Sequence, residues 1–320
     1  MVKLDLKDKK ILYELDKNSR ASNSQIAKKV RLNKNTVNYK IKRLQDLGVI
    51  KGYYAVIDSS KLGYFSVRVY LKFFNTTNEQ ETELIDWLKK HDQIGVIAKI
   101  EQFYDLMFIV YMKDIYKFDK IWMEFKTRFR KYFWKEKVQI FSRVFHYPRK
   151  YLTQDKPLKQ DFQIIGEQEI INYDELDFNI LKILSKDART PLLEISGKLK
   201  TPARTIAFRI KRLESKNVIQ AYRVHIDLEK IGYEYYKINF ILNNFEKYNI
   251  FLQFCNMHAN IIFFDRTISE YDFEIDVEIK SKKELLNLLK EIKNKFNIRN
   301  AEVFTYEQYY KLESMPQAYN

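Results

Sequence analysis

The chain repeats itself. Residues 5–64 lie on residues 174–233 without a gap, at a constant offset of 169, and 22 of the 60 aligned positions are identical. Among the matches are Asp8/Asp177, Ile11/Ile180, Arg20/Arg189, Ile26/Ile195, Thr36/Thr205, the run Ile-Lys-Arg-Leu at 41–44 and 210–213, and Ile57-Asp58/Ile226-Asp227. A unit of this length occurring twice is one folding module used in duplicate, so any architecture for the chain must be built from pairs.

Each copy reads as three short helices. The first opens at Asp5 or Asp174, a residue type that caps helix N-termini, with Leu6, Ile11, Leu12 and Leu15, or Leu176, Ile180, Leu181 and Leu184, on one face. The second opens with a capping box, Ser22-x-x-Gln25 in one copy and Thr190-Pro191-x-x-Glu194 in the other. The third runs from Asn33 to Leu47 and from Thr201-Pro202 to Lys216, with Val37, Ile41 and Leu44, or Ile206, Ile210 and Leu213, as its buried stripe. A short alternating stretch follows, Gly48 to Asp58 and Asn217 to Asp227, which reads as a small wing or strand. Three helices and a wing make a winged helix-turn-helix.

After each head the pattern becomes strand, helix, strand, strand, helix, strand, the order of a ferredoxin-like βαββαβ unit. The predicted strands are at about 66–74, 94–101, 104–112 and 136–145, and again at 235–242, 260–268, 271–279 and 301–308. Helices are predicted at 79–91, 114–132, 246–257 and 281–296. The fold class is therefore α+β in five parts. These are head one at 1–63, effector and assembly domain one at 64–147, a connector at 148–172, head two at 173–232 and effector and assembly domain two at 233–320.

The residues of the first head, Leu-Asp-x-x-Asp, Ile-Ala-Lys-Lys-Val, then Asn-x-x-Thr-Val-x-x-x-Ile-x-Arg-Leu-x-x-x-Gly-Val-Ile-x-Gly-Tyr, resemble the Lrp/AsnC family of prokaryotic transcription regulators. The second head matches less sharply, because Asn217 and Ala221 replace the glycines at 48 and 52. The resemblance covers nearly the whole chain and implies two family members fused in tandem, a built-in pseudo-dimer with further homo-oligomerisation open. It also implies an effector loop of the type Gly-x-Tyr-Asp that holds a small ligand such as an amino acid. The matching residues are Tyr104, Asp105, Tyr271 and Asp272, but the glycine is missing from both loops. The bland alternative makes Asp105 and Asp272 strand-end turn residues.

Charge points the same way. The chain carries a net charge of +15, which favours a polyanionic partner, here double-stranded DNA. Residues 1–63 hold 15 basic against 6 acidic side chains, whereas residues 168–232 hold 12 against 9, so head one is the stronger DNA-binding candidate. Side chains near the start of the third helix reach base edges and flanking cations meet phosphates. That assigns base contact to Lys34, Asn35, Asn38 and Tyr39, and phosphate contact to Thr36, Lys40, Lys42 and Arg43. In head two the corresponding candidates are Arg204, Thr205, Arg209, Lys211 and Arg212, while the outward Phe208 suits either a thymine methyl or an assembly contact. The cations between Lys126 and Lys137, interleaved with Phe125, Phe129, Tyr132, Phe133 and Trp134, read as the solvent side of a core.

Other classes are disfavoured. A single cysteine, Cys255, excludes an internal disulfide framework and a thiolate cluster, and His91, His146, His225 and His258 lack metal spacing. Seven scattered glycines make no phosphate-cradling loop, so no cofactor, no metal and no enzyme are expected. The longest apolar run, Leu106–Met112, is too short to cross a bilayer, and the N-terminus does not read as a signal peptide. No membrane partner is expected, and the cytoplasm, at the nucleoid, is the expected location. Siroheme decarboxylases look like paired members of the same superfamily, which keeps an enzyme as the alternative, with Arg68, Lys99, Arg143, His146 and Arg266 as candidates. A low-specificity architectural DNA-binding protein is the third reading.

Overall fold

The computed structural model describes residues 1–153, 162–166 and 169–319. Head one comprises α1 (Leu6–Lys17), α2 (Asn23–Val30), α3 (Lys34–Asp46) and the strand β1 (Ile50–Ile57). Then come β2 (Phe65–Phe73), α4 (Asn78–Lys89), β3 (Ile94–Glu101), β4 (Leu106–Met112), α5 (Ile115–Phe129) and β5 (Phe133–His146), with the short β6 (Gln163–Ile165) beyond them. Head two repeats the first with α6 (Glu175–Lys186), α7 (Leu192–Leu199), α8 (Ala203–Ser215) and β7 (Ile219–Ile226). The second effector unit is β8 (Glu234–Leu242), α9 (Tyr248–Met257), β9 (Ile261–Ile268), β10 (Phe273–Ile279), α10 (Lys282–Phe296) and β11 (Ile298–Leu312).

Local chemistry starts the helices of head one as expected. Asp5 with Asp8, and Ser22 with Gln25, form closed capping boxes, while Asn33 accepts from the Asn35 amide. Head two departs once. The box expected between Thr190 and Glu194 does not form, because Pro191 occupies the cap position and has no side-chain acceptor. The Thr190 hydroxyl instead donates to the Asp187 carbonyl. Leu6, placed on the buried face by its spacing, is 58% exposed, since it sits at the first position of α1, before the helix reaches the core.

The expected wing or strand is a strand in each head, but the two pair with each other rather than within their own heads. β1 pairs antiparallel with β7 of the other head, and one apolar core runs through both, from Ile11, Leu15, Val37 and Leu44 to Ile180, Leu184, Ile206 and Leu213. Reciprocal arginines bind the heads further. Arg20 Nη1 donates to the Ala188 carbonyl at 2.6 Å, and Arg189 donates through Nε to Ser19 O at 2.7 Å and through Nη2 to Ala21 O at 3.1 Å.

The effector units merge in the same fashion. Each has the strand order 4-1-3-2 of a ferredoxin-like sheet, β5-β2-β4-β3 and β11-β8-β10-β9. The fourth strands are long, and each serves two sheets. β11 pairs with β8 over Ile298–Phe304 and then with β3 over Thr305–Leu312, while β5 pairs with β2 and then with β9. The exchange closes eight strands into a barrel, which leaves neither sheet with an open edge. Helices α4, α5, α9 and α10 cover the outside over two cores.

The barrel interior is polar on one side. Arg68 pairs with Glu274 and, at 2.7 Å, with Asp265; Lys237 reaches Asp265 at 2.7 Å, Asp276 at 2.9 Å and Glu274 at 3.0 Å. Burial opposes ionisation of all three carboxylates. Lys237 and Arg68 overcome it at Asp265 and Glu274, whereas burial wins at Asp276 and pushes its pKa up.

The connector is not a loose tether in its described part. Arg149 is buried and joins Asp16 of head one at 2.6 Å to Glu278 of the barrel at 2.8 Å. Arg223 of β7 reaches the same Asp16 at 3.4 Å. Residues 154–161 and 167–168, also assigned to the connector, lie outside the described residues.

Candidate nucleic-acid interface

Helix α3 lays Val37, Ile41 and Leu44 on the head core, which turns a stripe at i, i+3, i+4, i+7 toward solvent. In head one that stripe is Asn35, Asn38, Tyr39 and Lys42, all exposed, with exposed Lys34 beside Asn35. Lys28, Arg31, Lys34 and Lys42 are exposed, and no described residue forms an ion pair with them. Asn38 is oriented from its own module: the Asn23 amide donates to its Oδ1 at 2.5 Å. Arg189 of the other head in turn donates to Asn23 Oδ1 at 3.1 Å. Arg20 and Arg189, identical in both copies, are matched in the sequence, but their role in joining the heads is visible only in the structure.

At the offset of 169 the same stripe on α8 is Arg204, Ala207, Phe208 and Lys211. Arg204 and Lys211 are exposed, and Phe208 is 66% exposed against 68% for Tyr39. Thr36 and Thr205 are half-buried at equivalent positions.

Four expected phosphate contacts lie elsewhere. Lys40 Nζ pairs with Asp5 at 2.7 Å and Asp8 at 2.9 Å, and Arg43 with Asp8 at 3.2 Å. Arg209 repeats the arrangement with Asp174 at 2.7 Å and Asp177 at 3.1 Å, and Arg212 also pairs with Asp177. These positions flank the buried stripe, so they face the acidic N-terminus of the first helix rather than open solvent. Burial would raise the Asp5 pKa, but the Lys40 hydrogen bond and charge hold its carboxyl below the usual range. At Asp174 burial likewise opposes, and the bonds from the Asp177 amide and Arg209 prevail. Among the described residues, Lys40, Arg43, Arg209 and Arg212 are therefore partly engaged by carboxylates, unlike Lys34, Lys42, Arg204 and Lys211.

The effector-loop residues separate into two kinds. Asp105 accepts from the Phe73 amide at 2.6 Å and from Lys72 at 2.7 Å, and Asp272 accepts from the Leu242 amide at 2.6 Å. Both carboxylates brace a neighbouring strand. Tyr104 and Tyr271 are buried at one end of the barrel, where Glu270 and Glu302 act on both hydroxyls. Burial pushes Tyr104 up to about 12. Gln102, where the family loop has glycine, holds φ +92°.

The cations of α5 and its surroundings follow the expected reading. Phe125, Phe129 and Phe133 are core, Lys126 pairs with Glu136 at 2.5 Å and Arg128 with Glu83 at 2.7 Å, while Trp134 is 59% exposed. Of the candidate enzyme residues, Arg143 and Arg266 lie opposite each other on β5 and β9, while the other three have separate surroundings. Arg68 is buried among carboxylates, Lys99 pairs with Glu307 at 3.0 Å, and burial pushes His146 down to about 3. Among the described residues no group of three His, Cys, Asp or Glu is placed to hold a metal ion, and no helix is long and apolar enough to cross a membrane.

A family model described as winged helix-turn-helix DNA-binding matches residues 4–51 and again 173–220. The HTH-type transcriptional regulator FL11 of Pyrococcus horikoshii is 31% identical over 116 residues, 36% of this chain and 77% of FL11. The chain belongs to the Lrp/AsnC family. LrpA of Pyrococcus horikoshii is 48% identical over 60 residues, an alignment that spans 43% of LrpA, and LrpB of Bacillus subtilis is 26% identical over 147 residues, 93% of its length. Among solved structures, the siroheme decarboxylase NirDL superposes with a TM-score of 0.63 at 13% identity, covering 98% of this chain and 94% of that one. Similarity at that identity establishes the shared fold of this tandem Lrp/AsnC protein.

Proposed function

We propose that the protein is a transcription regulator that binds double-stranded DNA through α3 and α8, with head one supplying most of the affinity and base discrimination. The observation that carries this reading is the solvent-facing stripe Asn35, Asn38, Tyr39 and Lys42, flanked by Lys28, Arg31 and Lys34 and left without carboxylate partners among the described residues. An amide at position 35 suits two-point pairing with adenine, and the lysines suit phosphates. Two unlike heads fixed by shared strands and a shared core fit an imperfectly palindromic operator, with half-sites about one helical turn or a multiple apart. The Arg68 environment supports this reading over a tetrapyrrole enzyme, since its charge is matched by buried carboxylates.

The test is selection of genomic fragments by the full chain, followed by anisotropy titration of the selected duplex across salt concentrations. A few defined sites, and an affinity falling with a log-log slope near −0.9 per phosphate contacted, are expected. Broad coverage without preferred sites would favour the architectural reading. Salt-independent binding would refute DNA recognition by these heads, and turnover of siroheme would reinstate the enzyme.

A further inference from the structure

A second basic feature lies away from the heads. Arg143 of β5 and Arg266 of β9 are direct register partners, and both are exposed. Like charges placed opposite each other on neighbouring strands repel, yet no described carboxylate pairs with either. Together with Ser142 and Gly166 they line a hollow of about 320 Å³. Tyr248 adjoins it, with the Arg266 guanidinium 6.0 Å from its ring centroid and the charges of Arg266 and Arg143 both acting on its hydroxyl. Tyr248 is the first residue of α9, whose N-terminus has no side-chain cap and no acidic residue in its first turn, so the helix end adds positive potential.

The wall of the hollow is fixed. Gly166 adopts φ +113°, and a Cβ there would lie 2.3 Å from the Ser142 carbonyl oxygen, so only glycine permits this approach. The Gly166 amide donates to Asp58 at 3.2 Å, at the end of β1. Ser142 Oγ donates to the Arg266 carbonyl at 3.0 Å, and the neighbouring strand β6 is tied to head two, since Gln163 accepts from Arg223 at 2.6 Å. The hollow therefore sits at the joint between barrel and heads.

We propose that Arg143 and Arg266, with Ser142 and Tyr248 beside them, form a binding site for the phosphate or carboxylate group of a small molecule. Two guanidinium groups offer the planar donor forks that such oxyanions accept, and a bound anion removes the repulsion between them. The site is separate from the Tyr104 and Tyr271 loops and does not depend on the heads binding DNA.

Calorimetric titration of the full chain with inorganic phosphate, and separately with succinate, at ionic strength held constant with sodium chloride, tests the proposal. Saturable one-site binding of at least one anion is expected, weakened tenfold or more in R143Q/R266Q. The variant R143K/R266K, which keeps the charge and loses the forks, should fall between the two, and the two anions distinguish a phosphate site from a carboxylate site. An unchanged circular dichroism spectrum certifies the folding of each variant. Absence of saturable binding by the wild-type chain, or equal binding by wild type and R143Q/R266Q, overturns the proposal. So does a result in which the substitutions weaken only duplex DNA binding, which would make the pair a DNA contact.

Discussion

Heads one and two share a backbone plan and differ in what that plan presents. Both hold the third helix against the first with the same clamp, Lys40 and Arg43 on Asp5 and Asp8, Arg209 and Arg212 on Asp174 and Asp177. Both put an aromatic ring outward, Tyr39 or Phe208. The outward stripe of head one has two amides, a phenol and an ammonium, whereas that of head two has a guanidinium, a methyl, a phenyl and an ammonium. The clamp is kept in kind between copies, and three of the four outward stripe positions have diverged. The divergence lies where a duplex would be read.

The largest test concerns the joint that both heads share. Arg149→Ala leaves Asp16 and Glu278 buried without their main partner, so it should cost about 3–5 kcal/mol; chemical denaturation measures it, and an intact stability would show that the heads are held by their own interface alone. Next, Asn35→Ala should weaken operator binding by about 1–3 kcal/mol if Asn35 pairs with adenine, with Arg204→Ala costing less in the same anisotropy assay. A reversed order would exchange the roles assigned to the heads.

A backbone comparison comes third. Gly48 has φ +66° and its counterpart Asn217 has φ +54°, a conformation that asparagine tolerates and alanine does not. Gly48→Ala should cost about 1–2 kcal/mol in thermal denaturation, while Asn217→Gly should shift stability by a few tenths. The smallest effect is in salt dependence: Lys42→Ala and Lys211→Ala should each reduce the log-log slope by about 0.9 if each lysine meets one phosphate. A slope changed by Lys42→Ala alone would place only head one on the DNA.

Acid should loosen the clamps in both heads. The Asp5 and Asp174 carboxyls titrate below their ordinary value of 3.8. Their contribution is therefore complete above the unfolded-state pKa and is lost as pH falls through the lower folded-state value. Backbone amide exchange in α1 and α6 should increase over that interval.

Much of the fold was legible because periodicity and capping are local. The repeat, the three helices of each head and the ferredoxin-like strand order were read within a few residues, with the fourth strands running longer than expected. The exposure of Lys34, Asn35, Tyr39 and Lys42 was legible because their spacing turns them away from Val37, Ile41 and Leu44. The ion pairs of Lys40 and Arg43 with Asp5 and Asp8 were not legible, because spacing says how far a residue lies from the buried stripe and not which neighbouring helix lies there. The missing Thr190 box shows the same limit, since a proline at the cap position satisfies the pattern of residues without supplying the acceptor.

The amino-acid sequence by itself determined the duplicated modules, their helices and strands, and the surplus of positive charge on the first head, because each follows from interactions between residues close along the chain. Only the tertiary structure decided that β1 finds β7, that β5 and β11 run on from their own sheets into those of the other copy, and that Arg149 joins both heads to the barrel. Those contacts link residues far apart in sequence, and their free energy is realised only when the two copies bury their surfaces against each other.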